Sequence, residues 1–161
     1  MSGILDAFKL DGKVAIVTGS ERGLGRGMAV ALAQAGADIV GVTYAAEAPE
    51  TAAAVEAAGK KYVHIQANLL SIEPVERVIK TALDAFGHID ILVNNAGIIS
   101  RNDSVDFTEK EWDDVMNINL KTAFFMCQGV ARQFIKQGKG GKIVNIASML
   151  SFQGGIRVPS Y

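Results

Sequence analysis

Residues 13–27, "KVAIVTGSERGLGRG", decide the fold. Lys13 opens the strand reading at 13–18, and four apolar residues then follow in succession. An unbroken apolar run without polar alternation is what a strand covered on both faces requires. Three glycines arrive at 19, 23 and 25, and a helical period runs from about Leu24 to Ala35, with Gly36 placed to stop it. A strand feeding a glycine turn and then a helix suits a bound pyrophosphate. Glycine lets the backbone come close, and the helix N-terminus offers free N–H donors and a positive dipole end. The spacing here is G-x-x-x-G-x-G rather than the commoner G-x-G-x-x-G, and a plain βα turn is the competing reading.

Working outward, the same alternation repeats. "DIVGVTY" (38–44) reads as a second strand, and a helix within 49–58 ends near Gly59. "KYVHIQA" (61–67) reads as a third strand. Val75, Val78, Ile79, Ala82 and Phe86 then recur at helical spacing, with Ser71 as N-cap, Pro74 in the first turn and Gly87 beyond the end. "IDILVN" (89–94) is a fourth strand and "GKIVNIA" (141–147) a fifth. Between them "TEKE" (108–111) forms a capping box, Thr108 with Glu111, ahead of a long helical stretch to about Gln137. Strands alternating with helices predict an α/β fold: one Rossmann-like domain over 1–161 built on a doubly wound parallel sheet of five strands.

Composition bounds the function. The chain has 161 residues, 49% hydrophobic and 20% charged, with a formal net charge of −1. That is a globular composition, and without a basic block it argues against nucleic acid as a partner. The apolar runs are too short to span a bilayer, and Asp6 and Lys9 interrupt the N-terminal stretch where a secretion signal needs an apolar core. Cys127 is the single cysteine, so no internal disulfide forms, which fits a cytoplasmic location. Cys127 itself reads as a small packing residue of its helix. His64 and His88 stand apart from any cysteine or carboxylate cluster, so no metal site is expected.

Four motifs, "TGSERGLG" at 18–25, "NNAG" at 94–97, "NINL" at 117–120, and "NIAS" at 145–148 followed by Tyr161, occur in order. Together they resemble the short-chain dehydrogenase/reductase family from about Leu10 onward. The resemblance implies an NAD(P)-dependent oxidoreductase working on a secondary alcohol or ketone. Gly19, Arg22, Gly23, Leu24 and Gly25 would hold cofactor phosphates, and Asn95, Ala96 and Gly97 would line the cofactor. Asn68 stands where the family has an aspartate against the adenine amino group; its carbonyl can still accept that bond. Asn119 would shape the active site and hold a water, Ser148 would bind the reacting oxygen, and Tyr161 would carry the proton.

Within the family, "AQAGADIVGV" and "SMLSFQGGIRVPSY" are similar to enzymes acting on a keto-deoxy sugar acid; gluconate dehydrogenases and 3-oxoacyl reductases share much of the pattern. A sugar acid needs a cation for its carboxylate; Arg101 and Arg157 are the candidates, and a surface charge is at least as good a reading of either. The acid that usually closes the second strand to bind ribose is absent, Thr43 and Tyr44 taking its place. Arg22 suits a 2′-phosphate and equally a solvated turn, so NAD is the expected cofactor with NADP open. The parent enzyme is expected to be a homo-oligomer, pairing through the stretch 108–137. A dinucleotide-binding module without catalysis is the other class that fits.

The proton chemistry adds one expectation. A phenol titrates near 10; bringing it to about 7 requires roughly 4 kcal/mol in favour of the anion. One cation about 4 Å away supplies that at an effective dielectric near 20. The family provides a lysine four residues after the tyrosine, and here the sequence stops at Tyr161. On that ground the chain reads as a fragment lacking two further strands and inactive by itself.

Overall fold

A computed structural model describes residues 3–161. A 3₁₀ turn at Ile4–Phe8 precedes strand β1 (Val14–Thr18) and helix α1 (Gly23–Gln34). There follow β2 (Asp38–Thr43), α2 (Pro49–Ala57), β3 (Tyr62–Gln66), α3 (Pro74–Phe86) and β4 (Ile91–Asn94). Helix α4 (Glu109–Met116) runs through a π-helical turn (Asn117–Thr122) into α5 (Ala123–Gln137), and β5 (Lys142–Asn145) and a short α6 (Leu150–Gln153) follow. The strands form one parallel sheet in the order β3-β2-β1-β4-β5, in register Val14 with Asp38 and Ala15 with Ile91. This is the doubly wound arrangement expected from the alternation.

Alternate residues of β1 show why its run carries no polar positions. Val14 and Ile16 pack with Val78 and Ala82 of α3 and Met126 and Val130 of α5. Ala15 and Val17 face the other way, onto Ala29 and Ala33 of α1 and Val55 of α2. Each face of the sheet thus has its own helical layer. At roughly 25 cal/mol per Å² of apolar area removed from water, these two layers are the main stabilising term. The far end of the sheet is tied by side chains. Val14 N–H donates to Asp90 (3.0 Å), and the Gln137 amide accepts from Ile89 N–H (3.0 Å) and donates to Ile89 C=O (2.8 Å). β5 lies at the sheet edge and is exposed along its length.

Two local expectations change. Ser71 does not cap α3: Glu73 is the capping residue and makes no side-chain cap. The turn instead closes through the backbone, Val75 N–H donating to Ile72 C=O, and Pro74 at the helix start has no N–H to satisfy. The stretch from 108 to 137 is not one regular helix either, because the π turn interrupts it. The capping box at its start is formed: Glu111 N–H donates to Thr108 Oγ1 (3.2 Å) and Thr108 N–H to the Glu111 carboxylate (2.9 Å).

Candidate functional site

In an open parallel sheet the crevice lies beyond the strand C-termini where the winding reverses. Here that point falls between β1 and β4, since α1 and α2 cover one face and α3 and α5 the other. Thr18, the last residue of β1, joins the two strand ends. Its hydroxyl accepts from Asn95 N–H and Ala96 N–H, both at 3.0 Å, and reaches Val93 C=O at 3.4 Å. The Asn95 amide returns the contact, donating to Thr18 C=O (3.0 Å) and Gly19 C=O (3.2 Å). The glycine turn is therefore clamped from the β4 side.

Two glycines in that turn are there for space. A Cβ on Gly25 would overlap the Gly19 carbonyl and stand 2.5 Å from Asn95 Nδ2. Gly19 adopts φ +67°, and a side chain there would meet Asn95 and the Ala96 backbone at 3.0–3.1 Å. Gly23 differs: φ is +55° and nothing crowds it, so conformation alone favours glycine. Helix α1 starts after Arg22, which is extended and makes no side-chain cap, so the first-turn N–H groups are left for another acceptor.

A cleft of about 970 Å³ opens above this turn. Arg22 and Leu24 line it from the turn, Asn95, Ala96 and Gly97 from the β4 end, Asn119 from the π turn, and Ser148 and Tyr161 from the last segment. Eight of the residues singled out from sequence thus face one space, with Gly19, Gly23 and Gly25 in the turn beside it. Asn119 holds its wall by a two-bond clamp on one peptide: Oδ1 accepts from Ile98 N–H (2.9 Å) and Nδ2 donates to Ile98 C=O (2.8 Å). The π turn carrying it is a local irregularity of the kind found at functional positions. Ser148 Oγ accepts from Leu150 N–H at 3.2 Å, and Tyr161 is 45% exposed, its N–H donating to Val158 C=O.

Three further candidates lie outside both the lining and the glycine turn. Asn68 Oδ1 accepts from Leu70 N–H (3.0 Å) in a local turn. Arg101 donates to Ile156 C=O at 3.3 Å, and Arg157 pairs with Asp103 at 2.8 Å. Both guanidinium groups thus bind neighbouring loops. Sequence reasoning passed over Thr18 and Asn94. A small β-branched hydroxyl closing an apolar strand just before a glycine was the available signal for Thr18. Asn94 is buried and donates to Asn145 Oδ1 (2.9 Å) and Cys127 Sγ (3.1 Å), so Cys127 faces the cleft edge as well as packing in its helix. Among the described residues, no three histidine, cysteine or carboxylate side chains group to hold a metal, and no helix is long and apolar enough to cross a membrane.

The end of β2 has a polar cluster in place of the missing acid. Thr43 Oγ1 donates to Ala45 C=O (2.8 Å) and sits 2.7 Å from His64 Nε2. Tyr62 reaches Ser20 Oγ at 3.4 Å; burial pushes its phenol above the usual tyrosine range, the Ser20 contact opposing and nearby Glu21 adding to the rise.

A switch-point cleft beside a glycine turn, walled by asparagines, serine and tyrosine, marks an α/β protein of the doubly wound class. The pattern of the short chain dehydrogenases matches residues 13–161, and the chain belongs to that family. It is 59% identical over 158 residues to the 2-dehydro-3-deoxy-D-gluconate 5-dehydrogenase of Escherichia coli K12, covering 98% of this chain and 62% of that protein. Identity to the protein of the same name from Bacillus subtilis is 47%, covering 97% and 61%. The chain therefore spans about three-fifths of the length of the curated relatives it matches. Among solved structures, an Agrobacterium tumefaciens protein with bound NADP, described as a candidate 2-deoxy-D-gluconate 3-dehydrogenase, superposes with a TM-score of 0.84 at 47% identity, covering 96% of this chain and 60% of that one. A Mycobacterium paratuberculosis short chain dehydrogenase bound to NAD gives 0.88 at 31% identity, covering 95% and 62%.

Proposed function

We propose that this chain supplies the cofactor-binding part and the serine and tyrosine of an NAD(P)-dependent dehydrogenase acting on a keto-deoxy sugar acid, 2-dehydro-3-deoxy-D-gluconate or a close relative. The observation that carries the reading is the single cleft at the sheet's switch point shared by the glycine turn, Asn119, Ser148 and Tyr161.

The residues fit a dinucleotide. Gly19 and Gly25 leave the turn bare where a Cβ would fill it, and the uncapped start of α1 presents N–H donors suited to a pyrophosphate. Arg22 and Leu24 flank that position, and Asn95 to Gly97 form the wall on which the ring system would rest. When bound, the cofactor supplies two-electron redox chemistry at the carbinol carbon. The chain's own task is proton handling and placement. The Ser148 hydroxyl binds the reacting oxygen, Tyr161 exchanges its proton, and Asn119 keeps the Ile98 wall in place through its two bonds. Neither NAD nor NADP is singled out by the residues at the end of β2, where Thr43 is committed to Ala45 and His64. The same reading places the enzyme in the cytoplasm as a homo-oligomer, a role that the exposed Trp112 and Ile135 of the 108–137 stretch support.

The test has two parts. Titration calorimetry of the chain with NAD(H) and NADP(H) should give saturable binding. The 161 residues, joined to the C-terminal two-fifths of the Escherichia coli relative, should oxidise or reduce the sugar acid, and Tyr161→Phe should abolish turnover while leaving cofactor binding intact. No binding of either dinucleotide, or turnover indifferent to Tyr161→Phe, refutes the assignment.

A further inference from the structure

Arg157 is, among the described residues, the one non-glycine residue with positive φ (62°). L side chains avoid this region because Cβ crowds the backbone carbonyl, so surrounding contacts have to hold the residue there. Three do. Asn102 N–H donates to Arg157 C=O (3.0 Å), Arg157 Nε pairs with Asp103 Oδ1 (2.8 Å), and Arg101 Nη1 donates to Ile156 C=O (3.3 Å). Residues 101–103 continue the cleft wall formed by Ile98 and Ile99, which Asn119 clamps from the other side. Residues 156–157 lead directly to Val158, which is buried and whose carbonyl accepts from Tyr161 N–H. The two walls of the cleft are thus joined by one strap, four residues ahead of the tyrosine.

We infer that Arg157 is a positioning residue: its left-handed backbone and its pair with Asp103 strap the 101–103 loop to the Tyr161 segment and so set where the phenol stands. This rests on Tyr161 being the proton carrier, and it gives Arg157 a role other than binding the substrate carboxylate, since its guanidinium lies outside the lining and is already engaged.

The experiment uses Asp103→Asn, Arg157→Ala and the double variant. In the chain itself, hydrogen exchange of the Asn102 amide and nitration of Tyr161 by tetranitromethane, with exposed Tyr44 as reference, read the strap without cofactor or substrate. Each single variant should speed both by about three- to fivefold, the range of an exposed ion pair at its upper end, and the double should be no worse than Arg157→Ala. In the joined enzyme described above, both singles should lower kcat by a similar factor with KM for the sugar acid within twofold. Exchange and nitration unchanged in either single variant, effects that multiply in the double, or a raised KM at constant kcat in Arg157→Ala alone would each overturn the inference. An enzyme inactive in every form refutes the proposed function instead, and the exchange data still decide the strap.

Discussion

Replacing Gly25 by alanine tests the glycine turn with one methyl group. The added Cβ would overlap the Gly19 carbonyl oxygen and press on Asn95 Nδ2 at 2.5 Å. Overpacking typically costs about 1–3 kcal/mol, and here the obstacle is backbone clamped by Asn95, which cannot turn aside as a side-chain tip would, so roughly 3 kcal/mol is expected. For a chain of this size about 3 kcal/mol lowers Tm by roughly 6–12 °C. Gly27 provides the control two residues further along α1: a Cβ there meets nothing. Gly27→Ala should stabilise by about 0.5–1 kcal/mol, because alanine loses less backbone entropy in a helix. Thermal unfolding by circular dichroism measures both, and calorimetry adds the ligand side. A turn pushed off its position should weaken dinucleotide binding by at least about tenfold, equivalent to 1.4 kcal/mol, in Gly25→Ala and leave Gly27→Ala unchanged. A Gly25→Ala protein melting within about 2 °C of its parent, or a Gly27→Ala protein falling as far, would show that close approach does not shape this turn.

Thr18→Val keeps the shape of the side chain and strands Asn95 N–H and Ala96 N–H, so a loss of about 2–4 kcal/mol in urea unfolding is expected; Thr18→Ser should recover most of it. Burial raises the Tyr62 phenol above its ordinary 10.0. Below that value the phenol is neutral in both states and its contribution is complete. Above it the unfolded chain ionises first, so stability falls with rising pH; Tyr62→Phe should flatten the decline that sets in above 10.0 in denaturant titrations. The Glu111 carboxyl is held below its ordinary 4.5, chiefly by Thr108 N–H and then by the Thr108 hydroxyl. Its contribution is present above 4.5 and lost as pH falls through the lowered value, so the Tm gap between parent and Glu111→Ala should close on acidification. A gap that persists unchanged at about pH 2 contradicts the cap.

Periodicity and glycine spacing carried the fold. The unbroken Val14–Val17 run announced a strand covered on both faces, and both faces are covered, by α3 and α5 on one side and α1 and α2 on the other. Positions dictated by local chemistry were legible too. Gly87 follows α3 with φ +79°, and the Thr108–Glu111 box starts α4, because turn and cap preferences act within a few residues of chain. Ser71 misled because a backbone turn and Pro74 did the work assigned to a side-chain cap. What the linear order of residues determined was therefore the class of fold, the strand sequence and the place of the glycine turn. Tertiary structure alone decided that Thr18 joins β1 to β4, that a π turn sets Asn119 on Ile98, and that Arg101 and Arg157 fasten two loops together. Those contacts link residues 21 to 77 positions apart, and a partner so far along the chain leaves no periodic trace. Only the packing of the sheet and its helices brings such groups within reach, and a side chain's role follows from what it then meets.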